Sequence, residues 1–69
     1  MALTTEEMGR NIKAERTRLG WTQEELAEHA DVSANTLANW ERGTVKLPIT
    51  GAVKLADCLG VTLDALFRD

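Results

Sequence analysis

Asn35 and Asn39 stand four residues apart, so on a helix they share one face, and each carries an amide whose oxygen and nitrogen can pair with N6 and N7 of an adenine edge. That is recognition chemistry rather than catalysis. The groups a reaction needs are not gathered anywhere in the chain. His29 is the sole histidine and stands more than twenty residues along the chain from Cys58, the sole cysteine, and no metal-ligand spacing, phosphate-binding loop or nucleophile beside a base occurs. An enzyme is therefore the least favoured class; no cofactor or metal is implied, and no small-molecule ligand is evident.

A helix that points both asparagines outward must bury its other side, and residues 22–43, TQEELAEHADVSANTLANWERG, are built for that. Thr22 with Glu25 three residues on is a capping box that starts one helix, with Leu26, Ala27 and Ala30 on a common face. Asp31 tolerates the left-handed backbone of a tight turn, and Val32 plugs the corner. Ser33 caps the next helix. Its inner face is Leu37 and Trp40, which leaves Ala34, Asn35, Thr36, Ala38 and Asn39 largely outside, and Gly43 stops it. Ala27 is small where two helix backbones must touch. This is the pattern of a helix-turn-helix, whose second helix is the one that enters a DNA major groove.

The rest of the chain supplies the support. Thr4 and Glu7 form another capping box, and Met8, Ile12 and Leu19, with the aliphatic part of Glu15 or Arg16, give a first helical stripe ending at Gly20. After a polar connector, residues 44–47, Pro48 leads into a fourth helix with the stripe Ala52, Val53, Leu55, Ala56 and Leu59. Gly51 falls early in that helix, where glycine costs least, and Gly60 ends it. Thr62 caps a short fifth helix, residues 63–67. With no strand pattern, repeat or linker, the fold class is all-α: five helices around one core, residues 8–67, of a single domain spanning 1–69. Trp21 is expected at the core's edge between helices one and two, Trp40 beside the core, and Phe67 either completing it or lying in a dimer contact. His29 is expected to be an exposed helix residue.

At this length a chain buries only about 60% of its unfolded surface, so every apolar face must be used. A lone cysteine excludes an internal disulfide, and Cys58, between Asp57 and Leu59 on an apolar segment, reads as a small core residue. No apolar run approaches the ~18 residues of a membrane span, and residues 1–7 are unlike a signal peptide, so a cytoplasmic location is expected.

The phrases RLGWTQEELAEHADVSANTLANWERG, KLP and KLADCLGVTLDALF, in that order, resemble the lambda-repressor-like, Cro-type helix-turn-helix family over nearly the whole chain. One departure is Asp31, where that family most often has glycine. The resemblance implies that Gln23, at the start of helix two, donates to a DNA phosphate with help from the helix's positive end. It implies base-edge positions at Ala34, Asn35, Ala38 and Asn39, with Thr36 reaching a phosphate or a thymine methyl. Arg42 and Lys46, in the connector beside the groove wall, and Arg10 and Lys13 on helix one are the further phosphate candidates. It also implies a partly buried ion pair between Arg16 and Glu41, tying helix one to the end of the recognition helix.

Charge pulls the other way. A net charge of -3 is the reverse of a nucleic-acid binder's footprint, and Glu24, Glu25 and Glu28 stand near the motif. Local field outweighs net charge when the screening length is about 8 Å, so weak nonspecific binding is the expected consequence. Weak attraction and the size of one recognition helix both favour a homodimer, its two copies about 34 Å apart on a palindromic double-stranded operator. With the sequence ending at Asp69, the dimer is expected to use this domain's own surface, at Leu63, Leu66 and Phe67. The rival reading is a protein-binding module, an antitoxin or adaptor, that keeps the fold while its acidic surface meets a partner.

Overall fold

The structure, a computed structural model, describes residues 4–67. Five helices follow one another: α1 (Thr5–Arg18), α2 (Gln23–Ala30), α3 (Ala34–Arg42), α4 (Ile49–Leu59) and α5 (Leu63–Leu66). Their starts follow from local chemistry. Thr4 and Thr22 each accept from the backbone three residues on, at 3.0 and 3.1 Å, while Glu7 and Glu25 reach back to the threonine amides at 2.9 and 2.8 Å. Ser33 and Thr62 cap α3 and α5 in the same sense, and Pro48 precedes α4 with no side-chain cap. These bonds satisfy amides that a helix cannot satisfy within itself.

The turn between α2 and α3 is closed by Asp31 in the left-handed region, φ 57° and ψ 46°. Val32 N–H then reaches back to the Ala27 carbonyl at 3.0 Å, so a residue other than glycine makes the corner. Ile12, Leu26, Leu37, Leu55 and Leu66 are fully enclosed where the five helices meet, with Ala27, Ala30, Trp40, Leu47, Ala52, Ala56 and Leu59 around them.

The sequence reading misplaces three side chains. Leu19 follows the last residue of α1 and is 38% exposed; the turn brings in Trp21, half-buried against the core, in its place. Val53 is 42% exposed because α4 turns Gly51, Ala52, Leu55 and Ala56 inward, leaving Val53 in line with Ile49 on the outer face. Leu66 is fully buried, so it belongs to the core and cannot edge a dimer contact. Gly51 stands in the first turn of α4 as expected, and its missing side chain also serves packing: a Cβ there would lie 2.8 Å from Trp40 Cη2 and 3.3 Å from Leu47 Cδ1.

The tightest contact carries no sequence signal. A Cβ on Gly9 would fall 2.3 Å from the Glu41 carbonyl oxygen and 2.6 Å from that of Trp40, so α1 and α3 touch backbone to backbone. Thr5 Oγ1 adds a bond to the Gly43 carbonyl at 3.0 Å, and Asn11 Nδ2 donates to the Leu66 carbonyl at 2.9 Å. Helix α1 is thus a brace across α3 and α5. It sets where the second helix of the motif stands.

Candidate nucleic-acid interface

Helix α3 is strongly two-sided. Leu37, Trp40 and Glu41 are buried, Asn35 is exposed, and Thr36, Ala38 and Asn39 are half-buried at the margins of the open face. Ala34 is less available than its place on the outer face suggests, because it is half-buried and packs against the core cluster. Ser33 Oγ donates to Thr36 Oγ1 at 2.8 Å while accepting the Thr36 amide at 3.0 Å. Arg42 Nη2 donates to Asn39 Oδ1. That bond directs the Asn39 carbonyl toward the guanidinium and its NH₂ away from it.

The cations expected to meet phosphates are all exposed: Arg10 and Lys13 on α1, Arg42 at the end of α3, and Lys46 in the connector. Glu24, Glu25 and Glu28 are exposed as well. Glu25 is engaged at the Thr22 amide, which holds its carboxylate on the N-terminal end of α2. The helix end that attracts an anion therefore already carries negative charge.

Beneath this surface α1, α2 and α3 meet in one polar node. Arg16 Nε and Nη2 donate to Glu41 Oε2 and Oε1 at 2.7 and 3.1 Å, a two-bond pair whose side chains are only 12% and 3% exposed. Arg16 Nη1 donates to the Trp21 carbonyl at 2.6 Å, closing the turn between α1 and α2. Gln23 Nε2 donates to Glu41 Oε1 at 3.1 Å. That last bond has no signature in spacing, because Gln23 and Glu41 lie on different helices.

Two other contacts also escape sequence reading. The Trp21 and His29 rings stack with centroids 4.4 Å apart at 6°, so His29 is exposed yet held flat against its neighbour. Cys58 is half-buried, and its Sγ donates to the His29 carbonyl at 3.0 Å. Burial, and then the nearby Asp57 charge, push its thiol pKa up, which favours the protonated donor. No group of acidic, histidine and cysteine side chains suited to a metal occurs among the described residues. Nor is any helix among them long and apolar enough to cross a membrane.

A helix-turn-helix family model matches residues 12–66. The chain belongs to the lambda-repressor-like helix-turn-helix family. Among solved members of this fold, the restriction-modification controller protein C.AhdI from Aeromonas hydrophila is similar at 27% identity and a TM-score of 0.89, over 91% of this chain and 96% of that one. The clp gene regulator ClgR from Corynebacterium glutamicum is similar at 27% identity and a TM-score of 0.87, over 96% and 86%. The P22 c2 repressor, solved in complex with a synthetic operator, is similar at 28% identity and a TM-score of 0.81, over 88% and 92%. No curated protein gives a significant match to the sequence. Within the helix-turn-helix family, α2 and α3 are the paired helices of the motif, and α3 is its recognition helix.

Proposed function

We propose that this protein is a sequence-specific transcriptional repressor that binds a palindromic operator as a homodimer, with α3 of each copy in a major groove. The family makes it a DNA-binding regulator rather than an enzyme. The observation that carries the reading is the two-sidedness of α3: its inner face is locked by Leu37, Trp40 and the Glu41 node, and Asn35, Ala38 and Asn39 are left for base edges. Gln23, Thr36, Arg42, Lys46, Arg10 and Lys13 supply phosphate contacts. Ala34 contributes only its exposed part.

A homodimer is supported by the apolar side chains that α4 and α5 leave in the open. Ile49 is 62% exposed, Val53 42%, Leu63 37% and Phe67 39%, beside a groove lined by Lys46, Leu47, Pro48, Ile49 and Phe67. A second copy resting there, with Leu63 and Phe67 at the contact, would cover them. The cytoplasm, where an operator is accessible, is the compartment this reading requires.

The acidic surface favours the rival, a protein-binding module, and a salt titration separates the two. If the protein is a repressor, affinity for operator DNA falls steeply as salt rises, and changing Gln23 and Asn39 to alanine abolishes specific binding. Absence of binding to any genomic fragment at low salt points to the protein-binding module instead.

A further inference from the structure

We propose that Glu41, besides joining α3 to α1, is a positioning residue for DNA binding: it aims the Gln23 amide at a backbone phosphate. The proposal rests on the DNA-binding reading above and concerns how the phosphate donor is oriented. The two ends of a glutamine amide are nearly identical in shape, and on an open surface nothing decides which one faces a ligand. A carboxylate decides it. Glu41 only accepts, so it must meet Nε2 of Gln23, as it does at 3.1 Å, whereas the flipped amide would set two oxygens against each other. One N–H of Gln23 is thereby engaged, and the other, now fixed in direction, is left to donate.

Glu41 is itself held still. Both of its oxygens take bonds from Arg16, and its side chain is almost fully enclosed. Arg16 also resolves what would otherwise be a poor arrangement, a carboxylate lying one side chain from a phosphate. The ion pair is net neutral, so the phosphate meets an oriented amide N–H rather than an unpaired negative charge. Gln23 is moreover the first residue of α2, where backbone amides lack partners within the helix. Glu41 stands two residues beyond Asn39 on α3, so the phosphate donor and the base-reading face are joined through a single carboxylate. An error in the placement of one is carried to the other.

The test is a double-mutant cycle in affinity, using Gln23→Ala, Glu41→Gln and the pair together. Each protein is confirmed folded by circular dichroism, then titrated by fluorescence anisotropy against a duplex selected from random DNA by the wild type. Gln23→Ala is expected to weaken binding about tenfold, the scale of one hydrogen bond to a charged group. Glu41→Gln is expected to weaken it several-fold more when Gln23 is present than when residue 23 is alanine. An equal loss in both backgrounds overturns the proposal, since Glu41 would then act through the fold alone.

Should Glu41→Gln fail to fold, NMR of the wild type decides. A Gln23 side-chain amide proton protected from exchange with water in the free protein, with its geminal partner shifting on adding the duplex, supports the proposal; two protons that both exchange at the rate of an exposed primary amide overturn it. A wild type that selects no DNA overturns the DNA-binding reading and this proposal with it. Binding with an additive cycle overturns this proposal only.

Discussion

A methyl group on Gly9 has nowhere to go. It would press on two backbone carbonyls of α3, which cannot swing aside, so Gly9→Ala is expected to destabilise the protein by at least the ~1–3 kcal/mol typical of overpacking. Gly51→Ala presses on the edge of the Trp40 ring instead, and a side chain yields more readily, so its loss in urea denaturation should be smaller. Asp31→Gly should do the reverse. It relieves a left-handed backbone that costs an ordinary residue about 1–2 kcal/mol and loses part of that gain to glycine's extra unfolded freedom, so a rise in melting temperature is expected. The asymmetry shows what residue types reveal. Asp31 was recognisable as a turn residue because its side chain favours one, whereas nothing in the local sequence marks Gly9; its role depends on a second helix 32 positions away. Gln23 was readable as a phosphate donor by resemblance, but its bond to Glu41 was not.

At the scale of the elements, helix starts were the most legible feature, since the threonine boxes of α1 and α2 are local chemistry. The box of α1 is also the place where pH should be felt. The Thr4 amide, then the Thr4 hydroxyl, and to a lesser degree Arg10, hold the Glu7 carboxyl below its usual range. A lowered acid pKa means that its contribution is present above the unfolded value and is lost as pH falls through the folded one. The gap in melting temperature between wild type and Glu7→Ala should therefore be widest near neutrality and close in acid. Helix-to-helix ties behave differently. Removing Arg16 alone strands the Glu41 carboxylate in the interior, and Arg16→Ala should cost about 3–5 kcal/mol by urea denaturation. What periodicity could not decide was how far each apolar stripe is covered. Leu19, Val53 and Leu66 are all apolar residues within or beside a helix, yet only Leu66 is fully buried.

For the whole molecule the five-helix architecture was legible because capping, turn residues and apolar spacing agree along the chain. The acidic balance was legible too, and the structure sharpens its meaning. Glu25 occupies the N-terminal end of α2, while Arg10, Lys13, Arg42 and Lys46 are exposed at the surface. Attraction to DNA in general should be weak, and selectivity must come from a fixed geometry: α1 braced on α3 at Gly9, and Gln23 held by a carboxylate that α3 supplies. The most direct test of the central claim, that α3 reads DNA sequence, is selection of bound duplexes from a random pool, repeated with Asn39→Ala. The account predicts a palindromic consensus with half-site centres about one helical turn, ~34 Å, apart, whose preference at one position in each half is lost in Asn39→Ala. A pool that never enriches, or a consensus that the Asn39 change leaves untouched, would contradict it.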